Sequence, residues 1–397
     1  MANLLEKLKA ASTVEYTNTL QNSEIFKDAF VAPTLVPMLN VALSGELAGG
    51  LTAGVTMWAG PSKHFKTLFS MICAKAYLDK YKDAVLLFYD TEFGAGLKYF
   101  KNIGIDPKRV LHTPITNIEI MKHDIVTQLK QIGRGDRVCI LVDSFGNMAS
   151  SKEVEDAEEG KQVTDMTRAK AMKSLFRMIG PHLVIKDIPL VCVNHTYKTL
   201  EMFSKDVVSG GTGAVYNSNQ VFIIGRQQEK EEKTIIGYNF IINVDKSRFV
   251  KEKSKIPISV TFENGISTWS GLLDIALESG HVTNPSKGKY SLKGSKKLYT
   301  MVETNSKEFW GNVLLDETFQ QWIQKQYSLD NSNLLNTELT DDDVAAEFSA
   351  AKAPKAKVEE VVEPTDNARS LRRQARLSDA ARKQLKTPGR KKEKRRA

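Results

Sequence analysis

Short apolar runs recur along the first two thirds of the chain, each bounded by turn residues. Those at 55–59, 85–89, 138–142, 190–193, 221–224, 240–244 and 256–262 are rich in β-branched and aromatic residues and predict strands. Stretches near 66–80, 117–132 and 165–179 instead space their apolar residues at helical intervals. Strand alternating with helix predicts an α/β domain whose mainly parallel sheet is covered on both faces. The later strands lie close together, which predicts an antiparallel edge.

Flanking segments carry different patterns. Residues 1–32 form a small N-terminal element, mostly helical in pattern, with Leu4, Leu5 and Leu8 on one face. Pro33 and Pro37 then flank an extended Thr34-Leu35-Val36. The main domain is expected over 33–265. A smaller, α-rich element follows over 266–330, with Trp269, Trp310 and Trp322 and a loop punctuated by Gly280, Pro285, Gly288 and Gly294. From 331 to 397 the chain is polar: an acidic cluster at Asp341-Asp342-Asp343, then a basic end, all expected to be largely disordered. No internal repeat is visible.

Composition narrows the class. An apolar content of 41% is ample for a core. Cys73, Cys139 and Cys192 each sit in apolar sequence without CxxC spacing, so they predict buried free thiols rather than a disulfide framework or zinc site. No apolar run approaches the roughly 18 residues of a membrane span. A protein of a reducing, intracellular compartment is expected. Charge is unevenly placed. Residues 369–397 hold 13 Lys and Arg against two acids, so they carry +11, and the preceding 368 residues carry −2 of the formal total of +9. A tail of that composition suits a tether to nucleic acid.

The chemistry is concentrated at strand ends. Gly60-Pro61-Ser62-Lys63-His64-Phe65-Lys66-Thr67 joins an apolar strand to an apolar-spaced helix. That is the setting of a phosphate-binding P-loop: backbone N–H groups cradle phosphates, Lys66 reaches the β- and γ-phosphates, and Thr67 places its hydroxyl on Mg²⁺. Phe65 stands where such loops usually have glycine. A second strand closes on Asp143, placed to support the water shell of Mg²⁺. A third ends in Asp90-Thr91-Glu92, putting Glu92 just past the carboxyl end of the sheet, where a base for an attacking water is needed. A fourth ends in Asn194-His195, a polar group that can sense the γ-phosphate. Lys66, Thr67, Glu92 and Asp143 together point to nucleotide hydrolysis.

This order of motifs, followed by a loop ending in Gly210-Gly211, resembles the RecA-family recombinases. The wording is closest to the UvsX branch of T-even-like phages. Residues 60–66, Tyr89 through Gly94, Asp165 through Lys170, Asn194 through Tyr197 and Lys251 through Lys255 all look like that branch, in which Phe before the P-loop lysine is typical. The similarity runs from about residue 1 to 325. It implies a RecA-like ATPase core that uses ATP and Mg²⁺. Glu92 activates water, Tyr99 stacks on adenine, and His195 couples the γ-phosphate to DNA binding. Two segments match the family's DNA-binding loops. The first is 150–164, acid-rich itself but followed by Arg168, Lys170 and Lys173. The second is 197–213, with Tyr197, Lys198, Met202, Phe203, Lys205, Gly210 and Gly211, which can hold phosphates and stack on bases. Lys246 and Arg248 match cations that complete a neighbouring subunit's site.

The activity implied is a DNA-dependent ATPase, acting as a helical filament on single-stranded DNA that pairs it with homologous duplex. It would serve recombination, recombination-dependent replication and repair in the cytoplasm of an infected bacterial host. The implied partners are further copies of the chain, a phage single-stranded-DNA-binding protein and a recombination mediator. Two other readings share the ATPase core or its nucleotide site: a ring helicase, and a non-catalytic DNA-binding protein switched by nucleotide.

Overall fold

The seven predicted strands form; six are longer than their apolar runs, and the seventh, expected over 256–262, runs from Lys255 to Thr261. A computed structural model describes residues 2–27, 29–161, 167–199, 204–231 and 234–329. Met202, Phe203, part of the 150–164 segment and the tail from 331 lie outside the described residues.

In chain order the strands of the main sheet are β1 (Gly54–Gly60), β2 (Val85–Asp90), β3 (Val110–Pro114), β4 (Val138–Asp143), β5 (Pro189–Lys198), β6 (Asp206–Val208), β7 (Gln220–Glu231), β8 (Thr234–Lys246), β9 (Lys255–Thr261) and β10 (Gly265–Ile266). Their order across the sheet is β10-β9-β8-β7-β1-β5-β4-β2-β3, with β6 paired only to β5. From β7 through β3 neighbouring strands are parallel, and β7 through β10 form the expected antiparallel edge. β3 has no counterpart among the predicted strands. It is the edge strand, no residue of it is buried, and it therefore lacks the apolar run that marks its neighbours.

The helices are α1 (Ala2–Ala11), α2 (Glu24–Lys27), α3 (Pro37–Ser44), α4 (Lys66–Lys80), α5 (Leu97–Ile103), α6 (Ile118–Gln131), α7 (Ser151–Glu158), α8 (Thr167–Ile185), α9 (Thr212–Asn217), α10 (Leu272–Glu278), α11 (Lys307–Leu315) and α12 (Glu317–Tyr327). Pro37 opens α3, where its missing N–H costs nothing, so the second proline begins a helix rather than ending an extended segment. α8 runs past its expected end at 179 and through Pro181.

A core lies on each face of the sheet. One gathers Trp58, Phe69, Phe222 and Phe240 with α3, α4 and α10–α12; the other gathers Phe145 and Phe176 with α6 and α8. Trp58 stacks between Phe222 and Phe69, with centroids 4.5 and 5.4 Å away. All three cysteines are buried free thiols.

The segment 280–300, expected as a loop, is a three-stranded antiparallel sheet of β11 (Val282–Ser286), β12 (Lys289–Leu292) and β13 (Tyr299–Thr300). Its strands are short and β11 is exposed past Val282, so no apolar alternation announces them. The residue pair Lys287-Gly288, with Gly288 at φ 72°, makes the tight hairpin between Ser286 and Lys289. Among the described residues no helix is long and apolar enough to cross a membrane.

Candidate active site

Parallel register brings the motif residues together. Gly60 at the end of β1 lies opposite His195 on β5, and Asp90 at the end of β2 lies opposite Asp143 on β4. All four therefore sit on the carboxyl edge of the sheet, where its helices begin.

From Gly60 the chain turns through Pro61, Ser62, Lys63, His64 and Phe65 into α4. Lys63 and Phe65 are left-handed, at φ 61° and 54°. His64 Nδ1 lies 2.9 Å from the Ser62 carbonyl oxygen, and burial lowers the imidazole's pKa. A left-handed L-residue costs roughly 1–2 kcal/mol, which explains why glycine is usual at the position of Phe65. Here the ring lies against Phe240, centroids 5.2 Å apart, and packs on the core. Burial of the aromatic ring thus offsets the backbone strain. Phe65→Ala removes the ring and keeps the strain, whereas Phe65→Gly removes both. The glycine variant is expected to be the more stable of the two by roughly 0.5–1 kcal/mol, read from urea midpoints. An alanine variant at least as stable as the glycine variant would show that the left-handed turn carries no such strain.

Lys66 is buried and donates to the Pro61 carbonyl at 2.8 Å, closing the loop on itself. Burial lowers its pKa, opposed by nearby Glu92 and Asp143. Thr67 donates to Asp143 Oδ2 at 2.8 Å. Asp143 is itself buried, and its Oδ1 has no hydrogen-bond partner among the described residues. Burial pushes its carboxyl up to about 6, against the stabilising Thr67 bond. The donors here are oxygens, and the orphaned Oδ1 is an acceptor in want of a partner. Both features fit a hard cation such as Mg²⁺, which takes one or two protein oxygens and completes its shell with water and phosphate. Among the described residues no group of three or more His, Cys, Asp and Glu could hold a metal by itself.

Glu92 lies on a pinned turn. Asp90 Oδ1 accepts from the backbone N–H groups of Glu92 and Phe93 at 3.1 and 2.7 Å, and its Oδ2 pairs with His112 at 3.2 Å. Glu92 Oε1 takes Ser144 Oγ at 2.6 Å, Asn147 Nδ2 at 3.0 Å and His195 Nε2 at 3.0 Å. These bonds, His195 foremost, hold the carboxyl below its usual range despite partial burial. No hydrogen bond among the described residues engages Oε2, which leaves that oxygen free for a water.

A cavity of about 400 Å³ opens over this edge, lined by residues 62–67, Glu92, His195, Arg226 and Tyr238. Arg226 and Tyr238 were not expected. Arg226 donates to the Lys63 carbonyl at 3.0 Å and lies 4.6 Å over the Tyr238 ring, bracing the loop from β7. Their strand positions lie beyond the apolar runs and carry no sequence signal. Asn147 was missed too, although it follows the Asp143 strand by only four residues.

Other expected site residues lie elsewhere. Tyr99 does not line the cavity; it packs half-buried on the core. Burial raises its pKa, helped by Asp143. Lys246 donates to the carbonyls of Val215 and Tyr216 at 3.0 and 2.8 Å, at the carboxyl end of α9. Arg248 is exposed, and neither cation lines this chain's own cavity.

The two segments expected to meet DNA are more regular than their sequence suggested. Most of 150–164 is α7, started by a capping box between Ser150 and Glu153, a Ser-x-x-Glu spacing legible in the sequence. In the second segment, Thr196–Lys198 pairs antiparallel with Asp206–Val208, so the loop begins and ends as a hairpin. Valines at 207 and 208 favour that pairing. Tyr197, Lys198 and Lys205 are exposed, and Lys198 is paired with Asp206 at 3.1 Å. Gly210 and Gly211 are left-handed, at φ 90° and 79°. The positions facing them across the turn are Met172 and Ala169 of α8, and Lys173 abuts Gly213. Lys170 and Lys173 are exposed on the same helix, so the two segments meet along α8. Arg168 is different: it donates to the backbone carbonyls of Phe145, Gly146 and Met148.

Residues 269–323 match the family described as Bacteriophage T4, Recombination and repair protein, C-terminal domain. The chain is 44% identical over 370 residues to the Recombination and repair protein of Enterobacteria phage T4, a match spanning 90% of this chain and 94% of that protein. It is also 24% identical over 283 residues to Protein RecA of Syntrophus aciditrophicus, spanning 69% of this chain and 78% of that one. With a RecA-type mixed sheet and this length of shared sequence, the chain belongs to the T4-type phage recombination and repair proteins, the UvsX branch of the RecA-like recombinases.

Proposed function

We propose that the protein is a DNA-dependent ATPase that forms a helical filament on single-stranded DNA and promotes homologous pairing and strand exchange. The cavity lined by Lys66, Thr67 and Glu92, with buried Asp143 accepting from Thr67 beside it, carries this reading. Lys66 would leave the Pro61 carbonyl for the phosphates of ATP. Thr67 and Asp143 would hold Mg²⁺, which neutralises phosphate charge. Glu92, fixed through Oε1, would orient and deprotonate water at Oε2.

His195 touches Glu92, and three residues further along β5 the chain reaches Lys198 in the candidate DNA segment. One strand therefore connects the hydrolytic carboxylate to the hairpin expected to meet DNA. Exposed Tyr197, Lys198, Lys205, Lys170 and Lys173 and the Gly210-Gly211 turn would meet the strand. Lys246 and Arg248 would act on a neighbour's nucleotide. Expected partners are single-stranded and duplex DNA, further copies of the chain, a single-stranded-DNA-binding protein and a mediator, inside the infected host cell.

The test combines ATP turnover, with and without single-stranded DNA, and electron microscopy with a non-hydrolysable ATP analogue. DNA-stimulated turnover and analogue-dependent filaments are expected. Closed rings would favour the helicase reading, and DNA binding without turnover would favour the nucleotide-switched one.

A further inference from the structure

Arg168 was expected to grip DNA phosphate, but its guanidinium turns inward. Nε donates to Met148 O at 2.7 Å, and Nη2 donates to Phe145 O at 3.1 Å and Gly146 O at 2.7 Å. All three acceptors belong to the turn that leaves β4. That turn also supplies two of the three donors on Glu92 Oε1, the buried Ser144 hydroxyl at 2.6 Å and the Asn147 amide at 3.0 Å. The third donor, His195, lies against the same turn: a Cβ at Gly146 would run into its ring. Every group that orients the carboxylate therefore belongs to, or rests on, the segment that Arg168 ties down.

We infer that Arg168 is a positioning residue for Glu92, acting through the 144–148 turn, rather than a ligand for DNA phosphate. The inference rests on the reading of Glu92 as the base for water. A planar guanidinium spans several carbonyls of one turn, whereas the point charge of lysine on a flexible stem does not reproduce the arrangement. Arg168 stands near the start of α8, whose Ala169 and Met172 face Gly211 and Gly210. The helix thus lies between the glycine turn and the carboxylate, and a shift of α8 on DNA binding reaches Glu92 through this side chain. Lys170 and Lys173, exposed on the same helix, are left as the phosphate contacts.

Four variants decide the matter: Arg168→Lys, Arg168→Ala, Asn147→Ala and Glu92→Gln. For each, kcat and KM for ATP are measured at saturating single-stranded DNA, and DNA affinity is measured across a salt titration. Both Arg168 variants are expected to lose about tenfold to a hundredfold in kcat, with KM for ATP and the salt slope of DNA binding unchanged. Lysine should not rescue. Asn147→Ala should lower kcat in the same direction; its side chain is exposed, so it remains decisive if the Arg168 variants fold poorly. Wild-type kcat in Arg168→Ala, with DNA affinity lost, restored by lysine and the salt slope reduced by about 1, would make Arg168 a phosphate ligand and overturn the inference. Wild-type kcat in Asn147→Ala would overturn it as well. Full activity in Glu92→Gln would instead remove the reading of Glu92 on which it rests.

Discussion

Glu92→Gln is expected to lower ATP turnover by a factor of about 10²–10⁴, the range spanned by loss of a general base, while nucleotide binding and folding persist. Glutamine keeps a carbonyl oxygen for the Ser144 and Asn147 donors, so the turn beneath it stays in place. What disappears is the negative charge and the basic Oε2. The pKa of Glu92 is lowered by His195 and Ser144, so the wild-type carboxylate stays ionised through the neutral range and is ready to accept a proton. The measurement is steady-state phosphate release beside a fluorescent-nucleotide titration. Turnover within tenfold of wild type, with unchanged affinity, would dismiss Glu92 as the base.

Acidification is expected to weaken magnesium-dependent nucleotide binding about tenfold between pH 7 and pH 5. The cause is Asp143, whose carboxyl is raised from its ordinary 3.8 to about 6 by burial. A raised carboxyl favours the neutral form of the folded protein. Its contribution to fold stability is complete below about 3.8 and is lost as pH rises through about 6. A cation needs the ionised form, so below about 6 it competes with a proton for the same oxygens. Metal binding and fold stability thus respond to acid in opposite directions through one group. Asp143→Asn isolates the effect. It should bind magnesium nucleotide weakly at every pH and without this acid-side slope, because only the titration of ATP itself remains. An identical slope in both proteins would assign the whole pH dependence to the nucleotide.

Much of this was legible beforehand because it depends on neighbours in sequence. Apolar runs marked the buried strands, since a strand covered on both faces has no polar side to show. The P-loop, the Asp143 strand and the Asp90-Thr91-Glu92 strand end were readable as motifs because each needs its residues at fixed local spacing. Where the pattern failed, exposure was the reason. β3 is an edge strand with no buried residue, and β11 is exposed past Val282, so neither demands an apolar run; β12 and β13 are only four and two residues long, too short to show one. α7 is a different case: the Ser150-x-x-Glu153 capping box that starts it is a local spacing in the sequence, but the segment is expected as a DNA-binding loop through its resemblance.

Arg168 marks the boundary between the two kinds of information. In the sequence it is a cation beside a segment expected to meet DNA, and its charge is all that shows. Its three carbonyl partners lie 20 to 23 positions away and meet it only because β4 and α8 pack together. The same holds for Phe65, whose left-handed backbone is kept by a ring on β8, and for Arg226, which reaches the loop from β7. Spacing and periodicity are local, so the fold class, the glycine-led loop at 60–67 and the carboxylates at strand ends are readable from residue order alone. Which donors orient Glu92, which cation faces inward and which ring holds Phe65 in its left-handed turn emerge only in the folded chain. Those depend on side chains brought within 3 Å or so by strand register and helix packing, distances to which a linear pattern is blind.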